Sequence, residues 1–328
     1  MPDVGTTEAY WVTAPGHGEL RREAVNDNVG TGESLVQALY SGVSPGTERL
    51  VGRGEVPTEC HATMACHYMA GGFELPIKYG YSLVARGIDG ELDGKNVFVM
   101  HPHQELARID NENALVLPET LPPHRATLIP NTETALNAIW DAELEAGQSS
   151  VIVGAGPVGL LLAFVLHRLG LGPTHIVETD DARRTWADTL PFVDAIGTAS
   201  DFRDGHYRVA FHSSGHGAGL QSALSLIGFE GSVIELSWYG NRPVEVDLGS
   251  HFHYQRKRIV ASQVGHVARP RRQDTSHSDR LQEVLCLLED ASCDQLLGQA
   301  VDFASMPQMM AELYQSNLSS PCPLIRYP

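Results

Sequence analysis

The feature that most constrains the fold is a glycine-rich turn near the middle of the chain. The apolar run Val151–Val153 leads into Gly154, Gly156 and Gly159, and a helix-length apolar segment follows. Glycines at this spacing make a tight bend, let backbone approach a pyrophosphate and let a helix pack closely on a strand. The pattern therefore predicts a turn that binds a nicotinamide dinucleotide, against the alternative of a strand-to-helix turn without a ligand.

The segment after the turn carries further features of such a site. Pro157 and Val158 open the helix, and free N–H groups at a helix N-terminus bind phosphates. A second apolar strand ends at Glu178, 19 residues after Gly159, where a carboxylate can accept hydrogen bonds from the adenosine ribose. We therefore expect NAD(H) to be preferred, because Glu178 repels a 2′-phosphate. Arg183 and Arg184 keep NADP(H) as the alternative, although we expect them to point outward from the next helix or to pair with Asp180 and Asp181.

Bulk composition narrows the functional class. A chain of 328 residues exceeds one comfortable core, so two domains are expected. Its net charge of −17 argues against nucleic acid or an anionic membrane as a partner, since both repel an acidic surface. The N-terminus does not resemble a signal peptide, and the longest apolar run, Val158–Val165, is too short to span a bilayer. We expect a cytoplasmic protein with a small-molecule substrate.

The cysteines predict neither a disulfide framework nor a metal site. Five cysteines, an odd number in a long chain, are typical of reduced thiols. Cys60-His61 and Cys66-His67 raise the alternative of a metal clip, but their spacing fits no common zinc pattern. Cys286 and Cys293 lie seven residues apart near a predicted helix, so we expect both on one buried face.

Hydrophobic periodicity divides the chain into two kinds of segment. Short strands bounded by Gly, Pro or Asp precede the glycine turn, and strands alternating with helices follow it. That alternation predicts an α/β fold with a parallel, doubly wound sheet. We expect the dinucleotide-binding domain at 148–262, with 1–147 and 263–328 combining into a second domain. Strands are expected at 34–40, 81–86, 96–100, 151–153, 175–178, 208–214, 231–237, 244–248, 258–264 and 324–327. Helices are expected at 123–142 with a break near Pro130, and at 218–227, 278–289 and 308–315.

This interrupted arrangement resembles the medium-chain dehydrogenase/reductase superfamily. Tyr40-Ser-Gly-Val-Ser-Pro-Gly-Thr-Glu48 is similar to the segment that carries the first zinc-binding cysteine of zinc alcohol dehydrogenases. Residues 78–82 are similar to their Gly-His-Glu region, 131–138 to the helix before the dinucleotide domain, and 238–240 to the turn after the fifth strand. The resemblance implies a Rossmann domain inserted into a mostly β, GroES-like catalytic domain.

Departures from that family favour a zinc-independent member. Ser44, Tyr81 and, by spacing, Leu128 stand at the ligand positions, whereas zinc needs thiolate, imidazole or carboxylate. The four-cysteine structural lobe of many relatives is also missing. The Ser-Gly-x-Ser-x-Gly-Thr-Glu segment resembles a subgroup that includes bacteriochlorophyllide dehydrogenases. We therefore expect no zinc, although names such as "zinc-binding dehydrogenase" attach to similar proteins.

Without zinc, another donor must stabilise charge on the substrate oxygen. Tyr81 is the leading candidate, since its phenol can donate a hydrogen bond, and a proton if its pKa is lowered. Its alternative role is to fill the space left by zinc. Ser44 and Thr47 are secondary candidates, Glu48 could orient Arg49 or a ribose, and each could equally be the polar lining of a turn.

Two histidines follow a strand that, by the resemblance, points toward the active site. His101 and His103 could shuttle protons at neutral pH, and we select His103 as the catalytic candidate. A structural role is the alternative for both. The resemblance also assigns a set of cofactor contacts at the strand tips, namely Ser214, Gly215, Leu236, Ser237, Ser262 and Val264.

The leading interpretation is an NAD(P)-dependent oxidoreductase without metal. It would act on a carbonyl or alcohol, as the Ser-Gly-x-Ser segment favours, or on an activated C=C bond, as the loss of zinc favours. A dinucleotide-binding sensor or structural protein on the same fold is the non-enzymatic alternative. The resemblance and the alternating segment Val244–Leu248, predicted as an exposed edge strand, favour a homodimer.

Overall fold

The computed structural model describes residues 5–26, 28–315 and 322–328. Contacts divide the chain into two units. The first unit runs up to Pro130 and resumes at Leu297, and the second unit is Asn131–Leu296. The second unit thus extends beyond the expected 148–262 at both ends, because the helix before the glycine turn and the helix after the last parallel strand group with the sheet.

The strands are named in chain order. They are β1 (Thr6–Ala14), β2 (His17–Ala24), β3 (Glu33–Gly42), β4 (Ala70–Gly71), β5 (Ile77–Lys78), β6 (Leu83–Gly90), β7 (Asn96–Val99), β8 (Leu106–Asp110), β9 (Ala114–Val116), β10 (Ser150–Val153), β11 (Thr174–Val177), β12 (Ala195–Gly197), β13 (Tyr207–His212), β14 (Ile227–Glu235), β15 (Arg258–Ala261), β16 (Val301–Asp302) and β17 (Leu324–Arg326).

The α-helices follow the same convention. They are α1 (Pro45–Gly52), α2 (His61–Met64), α3 (Pro123–Ala126), α4 (Ile129–Ala142), α5 (Pro157–Arg168), α6 (Asp181–Ala187), α7 (Gly217–Leu226), α8 (His251–Tyr254), α9 (His277–Leu288) and α10 (Met306–Tyr314). The expected helix 123–142 is broken as predicted, but at Thr127 and Leu128, ahead of Pro130.

The first unit is mostly β. One sheet has the order β2-β1-β5-β4, and a larger sheet has the order β16-β17-β3-β6-β7-β9, with β8 paired to β3. Its strand pairs are antiparallel, except that β16 and β17 run parallel. The expected strands at 34–40, 81–86 and 96–100 are present as β3, β6 and β7, whereas the hairpin of β1 and β2 was not expected.

The second unit is built on a six-stranded parallel sheet with the order β12-β11-β10-β13-β14-β15. This order confirms the predicted doubly wound sheet, since the strand order reverses between β10 and β13, where such folds bind ligands. Helix α5 packs into the core with 160–166 fully buried. The apolar segment after the glycine turn is therefore a core helix.

The prediction that Val244–Leu248 forms an exposed edge strand is wrong. The segment is irregular, and the Asp247 N–H donates to Oε1 of Gln221 at 2.8 Å in place of a neighbouring strand. Val244 and Val246 pack against the core beside α7, which accounts for their alternation. The edges of the parallel sheet are instead β12 and β15.

The prediction that Cys286 and Cys293 share one buried helix face is also wrong. Helix α9 ends at Leu288, so Cys293 lies in a separate 3₁₀ turn and is buried, while Cys286 is exposed. The five cysteines are not joined by disulfides. Over the described residues, every helix is too short or too polar to cross a bilayer.

Candidate functional site

The glycine turn joins β10 to α5 in the second unit. Gly154 has φ of +110°, a conformation that favours glycine, and a Cβ on Gly159 would collide with the Gly154 carbonyl oxygen. Gly156 has nothing within 4 Å of where a Cβ would lie, so its face of the turn is open. Pro157 and Val158 begin α5, whose first N–H groups lack intrahelical acceptors. This open turn fits the pyrophosphate of a dinucleotide.

Glu178 lies one residue past the end of β11 and faces the glycine turn. Its Oε2 accepts from the Ala155 N–H at 2.9 Å, and its Oε1 accepts from Thr179 N at 2.8 Å and Asp180 N at 3.0 Å. Burial raises the pKa of this carboxyl, but the Asp180 and Ala155 amides and Arg183 outweigh it and hold the pKa of Glu178 below its usual range. Glu178 is therefore a fixed carboxylate beside the turn.

Arg183 pairs with Glu178, whereas it was expected to point outward or to pair with the aspartates. Its Nη1 lies 3.1 Å from Oε2 of Glu178, while Arg184 pairs with Asp181 and donates to the Glu178 carbonyl oxygen at 2.8 Å. With three backbone amides and Arg183, the Glu178 carboxylate has about as many donors as it can accept. A ribose hydroxyl can bind Glu178 only if Arg183, which is about one-third exposed, moves aside.

The tips of β13 and β14 carry the next predicted contacts. The Gly215 N–H donates to Oγ of Ser237 at 3.1 Å, so the two tips are linked by a side chain. Leu236 donates its N–H to the His212 carbonyl oxygen at 2.9 Å. Ser214 lies beside them, with its Oγ 2.7 Å from Nε2 of His212. The structure therefore brings together the predicted residues of these two strands.

Sequence reasoning missed the group beneath these tips. His212 is fully buried, and its Nδ1 lies 2.9 Å from both carboxylate oxygens of Glu235, which also accepts from the Tyr239 hydroxyl at 3.1 Å. The sequence carried a partial signal, since each of these two apolar parallel strands ends in one ionisable residue. That pattern alone does not say that the two side chains face each other, because the register of the strands decides it.

The last predicted contacts of the second unit follow β15. Ser262 donates its N–H to the Glu235 carbonyl oxygen and its hydroxyl to Asp141, at 2.9 Å and 2.7 Å. The Val264 carbonyl oxygen accepts from Nη2 of Arg280 at 2.7 Å. Ser262 is thus held by the sheet and by α4, and Val264 is held by α9.

In the first unit, the resemblance-derived residues form a hydroxyl cluster. Ser44 is the N-cap residue of α1, and Thr47 lies in its first turn. Both side chains hydrogen-bond the Tyr81 phenol. Burial, opposed by these two hydrogen bonds, raises the pKa of Tyr81 well above its usual range. Tyr81 therefore keeps its proton at neutral pH, whereas a lowered pKa was the condition for proton transfer.

A buried hydrogen-bond chain lies behind this cluster. Nε2 of His103 is 3.0 Å from Oε2 of Glu48, and Nδ1 of His103 is 2.7 Å from Oγ of Ser41, which is 3.0 Å from the Tyr327 hydroxyl. The other carboxylate oxygen of Glu48 accepts from the Ser44 N–H at 2.8 Å. Glu48 thus holds both His103 and the Ser44 backbone in place.

His101 does not join that chain. Its Nδ1 lies 2.8 Å from the Pro102 carbonyl oxygen, and burial lowers the pKa of His101 to about 4. The ring is therefore neutral at physiological pH. His101 fits its structural interpretation, which leaves His103 as the histidine connected to the hydroxyl cluster.

Curated relatives of this chain are found at low identity. No protein-family model matches it. The (R,R)-butanediol dehydrogenase of Bacillus subtilis is 24% identical over 181 residues, which cover 53% of this chain and 49% of that relative. The chain therefore spans about half the length of the curated relative.

Solved structures match over nearly the whole length. The crystal structure of 2R,3R-butanediol dehydrogenase from Bacillus subtilis has a TM-score of 0.76 at 17% identity and covers 98% of this chain and 99% of that chain. An alcohol dehydrogenase from Escherichia coli complexed with NADH has the same TM-score at 14% identity, with coverage of 98% and 99%. The chain has the medium-chain dehydrogenase/reductase fold. The predicted α/β fold class is thereby confirmed.

The residues that the resemblance places at the zinc-ligand positions, Ser44, Tyr81 and Leu128, do not have the chemistry of a zinc site. Ser44 is buried with a hydroxyl toward Tyr81, and Leu128 is buried and apolar. Over the described ranges, no three His, Cys, Asp or Glu side chains come together as a ligand set. His61 and His67 instead contact Glu74 and Asp110, so the Cys-His dipeptides do not converge.

Proposed function

We propose that this chain is an NAD(P)-dependent oxidoreductase that transfers hydride between nicotinamide and a small substrate. The observation that carries the proposal is the open glycine turn at Gly156, followed by the fixed Glu178 carboxylate. The similarity to butanediol dehydrogenase and to an alcohol dehydrogenase complexed with NADH supports it. The substrate is a carbonyl or alcohol, or an activated C=C compound.

The second unit supplies the cofactor site in this proposal. The turn at Gly154, Gly156 and Gly159 receives the pyrophosphate, and Glu178 receives the adenosine ribose as Arg183 moves aside. The nicotinamide riboside half of the cofactor is oriented by residues at the strand tips, namely Ser214, Gly215, Leu236, Ser237, Ser262 and Val264. When bound, the dinucleotide donates or accepts the hydride, and the chain's residues bind and orient it.

The first unit supplies the polar group for the substrate. Tyr81 keeps its proton and donates a hydrogen bond to an oxygen that becomes more negative in the transition state. Ser44 and Thr47 fix the direction of the phenol. His103 and Glu48 hold Ser44 from below through a buried chain of hydrogen bonds. Tyr81 is thus the catalytic residue, and His103 is a positioning residue.

The enzyme is proposed to work without zinc. Support comes from the donor set, because Ser44, Tyr81 and Leu128 present two neutral hydroxyl groups and a hydrocarbon where zinc needs anionic or imidazole ligands. Tyr81 takes over the charge stabilisation that a Lewis acid provides in zinc enzymes.

NAD(H) is the preferred cofactor in this proposal. The buried Glu178 carboxylate carries a full charge and repels a 2′-phosphate. Arg183 moderates the preference, since it reaches the same place and can move onto a phosphate. NADP(H) therefore binds as the weaker alternative.

A dinucleotide-binding sensor is the second candidate. Its support is that Tyr81 holds its proton tightly, so the hydroxyl cluster offers a hydrogen bond but no readily transferred proton. The deciding experiment combines NADH and NADPH with a panel of aldehydes, ketones and enones. Turnover that is lost in Tyr81→Phe supports the oxidoreductase, whereas tight cofactor binding with no turnover on any class supports the sensor.

We also propose a homodimer, on family resemblance and on the exposed edge strand β15. Ile259 on this strand is 37% exposed, and an unpaired edge is usually covered by pairing or by charge. The net charge of −17 supports the absence of nucleic-acid and membrane partners. Light scattering tests the assembly: a monomer mass at micromolar concentration contradicts it.

A further inference from the structure

A serine, a histidine and a glutamate form a hydrogen-bonded line at the tips of β13 and β14. Oγ of Ser214 lies 2.7 Å from Nε2 of His212, and Nδ1 of His212 lies 2.9 Å from both oxygens of Glu235. His212 is fully buried and Ser214 is half-buried. The histidine therefore cannot meet a ligand directly, but the serine beside it can.

The hydrogen-bond partners of His212 point to one arrangement of its protons. A carboxylate only accepts hydrogen bonds, so Nδ1 of His212 carries the proton that faces Glu235. A neutral ring with a proton on Nδ1 accepts at Nε2, so the Ser214 hydroxyl donates to it. The His216 N–H approaches Oγ of Ser214 at 3.3 Å from the other side. With its proton directed inward, Ser214 offers only a lone pair to a ligand.

The Tyr239 hydroxyl also directs its proton toward the buried group. Its hydroxyl donates to Oε2 of Glu235 at 3.1 Å, because the carboxylate can only accept. Burial and the Glu235 charge raise the pKa of Tyr239, so the phenol keeps that proton. The Tyr239 hydroxyl therefore donates its hydrogen bond to Glu235. The Ser214 hydroxyl donates to His212, whose other ring nitrogen donates to Glu235.

Helix α7 lies directly against the Ser214–His212 pair because it has a glycine at the contact, Gly219. A Cβ on Gly219 would collide with Oγ of Ser214 and lie 2.8 Å from Nε2 of His212. The absence of a side chain at this position lets the helix cover the serine–histidine pair closely. The pair is therefore shielded from water on that side, which strengthens its hydrogen bonds.

We propose that His212, held by Glu235, is a positioning residue that makes Ser214 a hydrogen-bond acceptor for the nicotinamide riboside half of the cofactor. The inference rests on the proposed function. Glu178 follows β11 on one side of β10, whereas Ser214 follows β13 on the other. A dinucleotide whose adenosine lies at Glu178 therefore reaches Ser214 with its other half. That half carries ribose hydroxyl and carboxamide N–H donors, which match an acceptor.

Two substitutions at one position separate positioning from mere packing. In His212→Asn the amide can replace Nδ1 toward Glu235 but does not reach Ser214, so the serine proton is released. In His212→Gln the longer side chain brings an acceptor oxygen to the place of Nε2. We expect His212→Asn to raise the NADH dissociation constant about tenfold, which corresponds to one hydrogen bond, and His212→Gln to restore much of it.

Calorimetric titration with NADH and with ADP provides the readout. ADP lacks the nicotinamide riboside, so its dissociation constant should be the same in wild type and His212→Asn. The matched control is His175→Asn, since His175 on β11 also contacts a hydroxyl, that of Tyr207 at 2.8 Å, away from the strand tips. The control should leave both dissociation constants unchanged.

The outcomes are distinct. Equal NADH binding by wild type and His212→Asn overturns the inference, as does equal weakening of NADH and ADP. Wild type that binds neither nucleotide overturns the proposed function itself. If His212→Asn does not fold, Ser214→Ala decides, because it must weaken NADH and spare ADP. Nitrogen NMR of labelled histidine in the wild type adds a test, and a proton found on Nε2 of His212 contradicts the assignment.

Discussion

The Nε2 atom of His103 lies 3.0 Å from Oε2 of Glu48, and both side chains are almost completely buried. A buried polar group that loses a hydrogen-bond partner is costly, since water does not reach it to replace the contact. The same carboxylate accepts the Ser44 N–H, so the pair supports the start of α1 and, through Ser44, the Tyr81 phenol. We therefore expect the His103–Glu48 pair to affect both the stability of the first unit and the activity that depends on Tyr81.

His103→Ala should destabilise the protein by about 3–5 kcal/mol, because Oε2 of Glu48 stays buried without its His103 partner while Oε1 keeps only the Ser44 N–H. Denaturant unfolding measures this change. His67→Ala is the matched control, since His67 is 60% exposed and contacts Asp110 at 3.5 Å on the surface. The control should cost about 0–1 kcal/mol. Similar costs for the two variants would show that the buried pair is not a special contact.

Tyr81→Phe should lower kcat/KM about a hundredfold or more while leaving NADH binding unchanged, because it removes the donor to the substrate oxygen. Tyr79→Phe is the control: its ring lies 6.0 Å from that of Tyr81, but its hydroxyl hydrogen-bonds Cys66. Steady-state kinetics on the best substrate of the panel compare the two. If both variants keep wild-type turnover, Tyr81 only fills space.

Arg183→Ala should increase the preference for NADH over NADPH, and Glu178→Ala should reduce it. The first change removes the cation that can move onto a 2′-phosphate, and the second removes the charge that repels it. Each effect is about tenfold in the ratio of dissociation constants. Tighter binding of NADPH than of NADH by wild type would contradict the assignment of Glu178.

Purified protein should contain no stoichiometric zinc and should keep its activity after dialysis against a chelator. The reason is the donor set at Ser44, Tyr81 and Leu128, which offers zinc no thiolate, imidazole or carboxylate. Elemental analysis with parallel activity assays checks this. About one zinc per chain, lost together with activity, would overturn the zinc-independent assignment.

The sequence predicted the parts of the fold that follow from local pattern. The glycine turn, the strand to Glu178 and the alternation after it predicted the doubly wound sheet of the second unit. The pairing of His212 with Glu235 was not predicted, because the two lie 23 residues apart and meet only through the register of β13 and β14. Residues 244–248 misled because alternation also arises when an irregular segment packs one face on a core.

In the first unit, the resemblance placed Ser44 and Tyr81 at ligand positions, with Thr47 as a further donor, and the structure brings the three together. It did not predict that Glu48 pairs with His103, since the two residues are 55 positions apart. Nor did it anticipate the raised pKa of Tyr81, which depends on burial and not on residue type. Burial and long-range contacts are the quantities that a local pattern does not carry.

The central claim is that the turn at Gly156 receives a dinucleotide, and calorimetric titration of NADH into wild type and Gly156→Val tests it most directly. Gly156 has φ of −78° and nothing within 4 Å of the position that a Cβ would take, so valine should leave the melting temperature nearly unchanged. The side chain would occupy the place of the pyrophosphate. The account predicts saturable NADH binding at one site per chain in wild type and, in Gly156→Val, an affinity lower by about a hundredfold or more. Equal binding by the two folded proteins, or none by wild type, would contradict it.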